Sequence, residues 1–289
     1  MTIAVAGSTG HLGRLTIEHL VAGGTDPTTI VALARDTLRA QQAFSGGIQI
    51  RAADYDDTET LEPALSGVDT LVLISGNDVG ARVVQHRAVI DAAKEAGVNR
   101  VVYTSMLGAS AALINPMGAS HAATENDLRE SGMAYTLMRN GWYSENFIDT
   151  ARQAVATGEI LGSAGDGKVA SAARDDFASA LAIVAANDGH DYATYELGGD
   201  TAWSYADLAK TVTEISGRDV TYRDVSEREH ADTLVALAGL DEGTAAFIAT
   251  IDQSIRAGEL GTVTHDLSVL IGRPTTPIAR TLADALSAE

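Results

Sequence analysis

The first two dozen residues, TIAVAGSTGHLGRLTIEHLVAGG, constrain the fold most, because strand, glycine turn and helix follow one another without a spacer. Ile3 to Ala6 is a short apolar run that suits a strand buried on both faces of a parallel sheet. Gly13, Ile17, Leu20 and Val21 then fall at i, i+4, i+7 and i+8, one face of a helix that Gly23 and Gly24 end. Between them lies Gly7-Ser8-Thr9-Gly10-His11-Leu12-Gly13, a GxxGxxG pattern. In such a turn Gly7 permits the tight reversal, Gly10 lets the backbone approach a pyrophosphate, and Gly13 lets helix and strand pack closely. The helix N-terminus adds free N–H groups and a positive dipole end. An ordinary βα turn could use the same residues. The setting, after a strand and opening a helix, points to dinucleotide binding by Gly7 through Gly13.

Composition narrows the partners. The chain has 289 residues and no cysteine, which removes disulfides, thiolate nucleophiles and cysteine-held metals or clusters and leaves a cytoplasmic location as the default. A 45% hydrophobic share without a long apolar run or a signal-peptide pattern reads as a soluble globular protein, not a membrane one. The formal net charge of -19 argues against nucleic acid and anionic membranes, whose phosphates it would repel. A small-molecule partner is expected, and an anionic cofactor must find local arginines.

Further strands are read at Thr29 to Arg35, Ile48 to Ala53, Asp69 to Ser75, Arg100 to Thr104 and Met133 to Met138. Arg35 ends the second strand about 20 residues past the glycine turn, where the adenine ribose is read, and an arginine there suits a 2'-phosphate. NADPH is therefore favoured over NADH. Asp36 keeps the other reading open, since it could bond a 2'-hydroxyl or start the next helix. Asp57 or Thr58 is expected to cap a helix in which Pro63 sits awkwardly. Ser75, Gly76 and Asn77 leave the carboxyl end of the fourth strand and are candidates for the cleft wall. A helix from Ala81 to Ala96 closes at Gly97, and one from Ala119 to Glu130 carries His121 and Glu125 on one face. Ser105 follows the fifth strand. Arg139-Asn140-Gly141-Trp142-Tyr143 follows the sixth, where the nicotinamide half of a dinucleotide would lie.

The βα alternation loosens after residue 150. The fold expected is α/β, a Rossmann-type doubly wound parallel sheet over 1–150, with 151–289 mainly a smaller α+β lobe covering the cleft, some of whose segments could return to the sheet. A serine after the fifth strand invites a short-chain dehydrogenase reading with a Tyr-x-x-x-Lys pair. None of the eight tyrosines has lysine four residues later. His121 stands on the corresponding helix and is the candidate proton donor, with Glu125 to orient it or raise its pKa. A structural histidine is the alternative, and two ligands without a third make no metal site.

With IAVAGSTGHLG, Gln85-His86-Arg87, Tyr103-Thr104-Ser105, LMRNGWYSEN, AGDGK and LIGRPTT in hand, the chain resembles the NmrA-like group of atypical short-chain dehydrogenases, end to end. The likeness is greatest to its NADPH:quinone oxidoreductase branch, with triphenylmethane reductases as relatives. The resemblance implies a bilobal enzyme binding NADPH without flavin or metal. It puts the phosphates on Gly7 to Gly13, the 2'-phosphate on Arg35, and the nicotinamide near Ser75 to Asn77 and Arg139 to Tyr143. Quinones suit a site without Tyr-x-x-x-Lys, because the acceptor is already electrophilic and needs positioning more than acid help. Trp142 and Tyr143 would stack on the acceptor, and Asn140 or His121 would bond its oxygen, making His121, Asn140 and Tyr143 the catalytic candidates. The other readings are a dinucleotide-binding redox sensor without turnover and a reductase of a dye or carbonyl compound. A homodimer is compatible with all of these.

Overall fold

The computed structural model describes residues 1–287. Its first half alternates strand and helix: β1 (Ile3–Ala6), α1 (His11–Ala22), β2 (Ile30–Ala34), α2 (Thr37–Ala43), β3 (Gln49–Ala52), α3 (Leu61–Leu65), β4 (Thr70–Leu73), α4 (Arg82–Glu95), β5 (Arg100–Met106), α5 (Gly118–Ser131) and β6 (Ala134–Asn140). The second half holds α6 (Ile148–Thr157), β7 (Glu159–Gly162), β8 (Lys168–Val169), α7 (Arg174–Ala186), β9 (Thr194–Leu197), β10 (Trp203–Ser204), α8 (Tyr205–Ser216) and β11 (Thr221–Asp224). It closes with α9 (Glu227–Ala238), α10 (Glu242–Arg256), α11 (Asp266–Ile271) and α12 (Ile278–Ser287). Among the described residues no helix is long and apolar enough to cross a membrane.

Seven strands form one parallel sheet in the order β3-β2-β1-β4-β5-β6-β9. The winding reverses between β1 and β4, so the cleft of a doubly wound sheet opens there, outside the carboxyl ends of both strands. Every residue of β1, β2 and β4 is buried, as continuous apolar runs in a parallel sheet require. One face packs Leu12, Ile17 and Leu20 of α1 against Phe177, Leu181 and Val184 of α7. The other packs Leu61, Val89, Ile90 and Leu128 of α3, α4 and α5. Each fully buried side chain of this size contributes roughly 1.5–3 kcal/mol.

Residues beyond 150 complete this sheet: β9 is its seventh strand, and α7 lies beside α1. Arg100, at the start of β5, fastens the end of α7 by donating to the carbonyls of Ala185 (2.9 Å) and Asn187 (3.0 Å). The smaller lobe pairs β7 with β11 and β8 with β10, around a core that includes Phe147, Trp203, Tyr205, Leu208 and Ile255.

Several sequence expectations change in detail. β5 and β6 run two residues further than expected, because Arg139 and Asn140 pair with Ser105 and Met106 on one side and Glu196 and Leu197 on the other. Arg139 and Asn140 are thus strand residues. Pro63 lies in the first turn of the short α3, where a missing N–H costs no helical bond. The expected side-chain cap from Asp57 or Thr58 does not form. Thr60 Oγ1 takes over locally, accepting from Asp54 N–H and donating to the Asp57 carbonyl.

Candidate functional site

The glycine turn stands at the carboxyl end of β1. Gly7 has φ +69°, a left-handed conformation that disfavours a side chain, and its carbonyl accepts from Gly10 N–H at 3.0 Å. A Cβ on Gly13 would lie 2.3 Å from the Gly7 carbonyl oxygen and 2.8 Å from Ser8 Cα, so only glycine lets α1 pack here. Gly10 is the N-cap and supplies no side chain, which leaves the first turn of α1 open to the cleft. Thr9 is half-buried and His11 exposed, whereas Leu12 is in the core. Ser8 is fully buried and its hydroxyl donates to the Leu33 carbonyl at 2.8 Å, so only its backbone remains for a ligand.

Arg35 is exposed just past β2, and among the described residues its guanidinium meets no carboxylate within ion-pair distance. Asp36 beside it caps α2, accepting from Arg39 N–H at 3.0 Å. The Tyr55 hydroxyl, buried and without a hydrogen-bond partner among the described residues, lies near Arg35. Ser75 and Gly76 are half-buried after β4, and Asn77 is exposed. Ser75 N–H donates to Thr104 Oγ1 at 2.8 Å, and Gly76 is held from beneath by α4.

The sixth-strand region divides sharply. Arg139 is turned to carboxylates: its Nε and Nη2 grip Glu125 at 2.8 and 2.7 Å, and its Nη1 reaches Glu196 at 2.6 Å. Glu125 also accepts from Ser105 Oγ at 2.6 Å and Arg129 at 3.0 Å. Burial alone would push the Glu125 carboxyl up, but these donors outweigh it and hold it below the usual range. Arg139 is therefore satisfied by two carboxylates, a setting its position next to Asn140 did not announce.

Asn140 is 6% exposed and donates from Nδ2 to the Tyr143 hydroxyl at 3.2 Å, while its buried Oδ1 has no hydrogen-bond partner among the described residues. Tyr143 packs edge-on against Phe177, with ring centroids 5.1 Å apart, and the Arg174 guanidinium stands 4.9 Å above its ring. Burial raises its phenol pKa, so the hydroxyl stays protonated. Gly141 is pressed against β9, where a Cβ would come 2.8 Å from the Leu197 carbonyl oxygen. Trp142 is half-buried against the lobe core that contains Met106 and Phe147. Arg174, the first residue of α7, belongs to this cluster, and no local pattern announces a cation delivered from so far along the chain.

His121 is buried, and its Nδ1 lies 2.7 Å from the Tyr103 hydroxyl, not beside Glu125. Burial first, then the charge of Arg82 and the neighbouring His86, lowers its pKa to about 3. The expectation that Glu125 orients it and raises its pKa is thus corrected: Glu125 is turned to Arg139 and Ser105. The other resembling segments fasten the lobe. Gly165 N–H of AGDGK donates to Asp224, and a Cβ on Gly167 would meet Ile255 backbone at 2.3 Å. In LIGRPTT, Arg273 and Thr276 bind the fully buried Asp176.

A family model described as NAD(P)H-binding matches residues 7–188, the glycine turn through α7. The chain belongs to this NAD(P)H-binding family. It is 45% identical over 284 residues to quinone oxidoreductase 2 of Escherichia coli, covering 97% of each chain. Among solved structures, the NADPH complex of an Escherichia coli NADPH-dependent quinone oxidoreductase superposes with a TM-score of 0.95 at 44% identity, covering 99% of this chain and 100% of that one. The triphenylmethane reductase of Citrobacter sp. follows at 0.94 and 36% identity, with the same coverage. For this NAD(P)H-binding chain, both comparisons span the sheet and the lobe together.

Proposed function

We propose that the protein is an NADPH-dependent reductase that passes hydride to a quinone or a similar planar electrophile. The observation that carries this reading is the setting of three polar groups, His121, Glu125 and Tyr143, none of which is poised as an acid near neutral pH. His121 is held neutral, with its pKa lowered to about 3, Glu125 is locked as a carboxylate by arginines, and the Tyr143 phenol is raised. A simple carbonyl would need proton donation in the transition state, best supplied by a group titrating near neutral pH. A quinone needs far less, because aromatisation drives its reduction. The end-to-end likeness to quinone oxidoreductase 2 supports the same choice.

The cleft residues fit the cofactor. Gly7 to Gly13 offers backbone N–H groups and a helix N-terminus to a pyrophosphate. Arg35 offers a guanidinium that no carboxylate pairs among the described residues to a 2'-phosphate, while Asp36 is engaged as a cap. Asn140 Oδ1 is an orphaned buried acceptor beside the Tyr143 hydroxyl, a donor. A quinone oxygen only accepts, so Oδ1 has nothing to offer it. A carboxamide both donates and accepts, and this pair is matched to the nicotinamide amide. Bound there, NADPH would supply the hydride. Trp142 remains as an aromatic surface for the acceptor.

The test follows absorbance of reduced nicotinamide with NADPH or NADH, each with and without 1,4-benzoquinone. The expected result is acceptor-dependent oxidation that prefers NADPH. Arg35→Ala should weaken NADPH binding by about 1.5–3 kcal/mol, roughly 10- to 150-fold, and leave NADH binding nearly unchanged. Tight NADPH binding without turnover on a panel of quinones, dyes and carbonyls would sink the reductase and favour the sensor.

A further inference from the structure

Gln85-His86-Arg87 is the one motif shared with the resembling group that the proposed chemistry leaves without a task. On α4 each residue faces a different neighbour. Gln85 Nε2 donates to Asp56 beyond β3 at 2.8 Å, and Arg87 pairs with Asp127 of α5 at 2.9 Å. His86, fully buried, turns toward the cleft: its Nε2 accepts from Gly76 N–H at 3.1 Å. One helical turn earlier, Arg82 Nε and Nη2 donate to the Gly76 carbonyl at 3.1 and 2.9 Å. The peptide planes on both sides of Gly76 Cα are therefore fixed by side chains of α4, outside any sheet ladder.

The tautomer of His86 follows from its partners. A backbone N–H can only donate, so Nε2 is unprotonated and Nδ1 carries the hydrogen. Nδ1–H donates to Thr124 Oγ1 at 3.1 Å, and the Thr124 hydroxyl donates onward to the Ser120 carbonyl at 3.1 Å. Burial, then the charge of Arg82, lowers the His86 pKa to about 3, which keeps Nε2 an acceptor at neutral pH. Arg82 is only 3% exposed. Among the described residues it has no carboxylate within ion-pair distance, and its third bond goes to Ser120 Oγ at 2.8 Å. An apolar side chain would fill that space at lower desolvation cost, so the polarity of both residues is directed at Gly76.

We propose that His86, with Arg82 beside it, is a positioning residue that sets Ser75-Gly76-Asn77 as the wall of the nicotinamide half of the cleft. The assignment rests on the dinucleotide reading above. With the clamp in place, Gly76 N–H and C=O point into the protein, and the half-buried Ser75 and exposed Asn77 flank a fixed backbone. Without it, glycine lets both planes rotate, and the wall loses its shape.

The test compares the full-length protein with His86→Leu and His86→Gln, and with Thr124→Val and Thr124→Ser. Glutamine can place Oε1 where Nε2 accepts; leucine cannot. Three readouts are taken: NADPH Kd from cofactor fluorescence, kcat with 1,4-benzoquinone, and deuterium exchange of the peptide containing Gly76. His86→Leu is expected to raise the Kd about tenfold and speed Gly76 exchange, and His86→Gln to return both to within about threefold of the parent. Thr124→Val releases the tautomer and should shift both the same way by a smaller factor, with Thr124→Ser restoring them. Wild-type behaviour of His86→Leu, or equal impairment of the Leu and Gln variants, overturns the proposal. If His86→Leu does not fold, the Thr124 pair decides by the same criterion. If the parent binds no NADPH, the dinucleotide reading fails, while Gly76 exchange still reports the clamp separately.

Discussion

At the scale of single residues, Gly13 is the most tightly determined position in the site. Because a Cβ there would overlap the Gly7 carbonyl, Gly13→Ala must push α1 away from the turn. The expected result is a melting temperature several degrees lower and NADPH binding weakened more than tenfold; unaltered binding in a titration would refute the role of this turn. The two buried histidines make a second prediction. In the unfolded chain each titrates near 6.5, and in the folded protein at about 3, so the unfolded state binds more protons throughout that window. Well above pH 6.5 both states hold the rings neutral and titration takes nothing from stability, which is lost as pH falls toward and below that value, by a few kcal/mol for the pair at pH 5. Urea melts at pH 7.5 and 5.0 should show the loss, and His121→Gln should remove about half of it; an equal loss in both proteins would rule this out. The turn at Gly7 and the close packing at Gly13 were legible in the sequence because a βα turn is local. The setting of His121 was not. Its i, i+4 spacing suggested Glu125, but β5 supplies Tyr103 to the histidine and β6 supplies Arg139 to the carboxylate.

At the scale of elements, Glu125, Arg139 and Glu196 tie α5, β6 and β9 into one unit at the carboxyl end of the sheet. The Glu125 side chain is 1% exposed, so Arg139→Met would leave a buried carboxylate held only by Ser105 and Arg129. The expected cost is about 3–5 kcal/mol, largely recovered when Glu125→Met is added, because replacing both charges removes the unpaired one. NADPH affinity of the folded Arg139→Met protein should change less than threefold. A large loss of affinity at unchanged stability would instead return Arg139 to the cofactor. This unit also explains which boundaries the sequence could not show. The apolar runs located β5 and β6, but β6 ends in the polar Arg139 and Asn140, which β9 holds as strand from more than 50 residues later and which in turn pair with Ser105 and Met106 of β5. The order of elements through β6 was readable from local periodicity; the return of α7 and β9 to the sheet depended on pairings that no local pattern carries.

At the scale of the whole molecule, the segment between β5 and α5 is the strap from sheet to lobe. It leaves the sheet at Gly108, whose N–H donates to Glu196 at 2.8 Å, and reaches the lobe where Ile114 and Asn115 N–H groups donate to the two oxygens of Glu259 at 2.6 and 3.0 Å. Between these anchors Ala109 and Leu113, followed by Met117, pack on the same core as Trp142 and Met106. The strap therefore shares a core with Trp142, the residue expected to stack on the acceptor. Carboxylate-to-amide bonds of this kind are charge-assisted, and here they are the grip of the lobe on the strap. Glu259→Ala should free the strap at its lobe end while leaving the glycine turn, Arg35 and the Gly76 clamp intact. The KM for 1,4-benzoquinone is then expected to rise about 3- to 10-fold, with the Kd for NADPH unchanged and a stability loss of only about 1–3 kcal/mol. Glu259→Gln, which keeps one good acceptor, should lie between. A rise in NADPH Kd that matches the rise in acceptor KM would show that the two halves of the cleft are not built separately, and that the strap holds the cofactor as well.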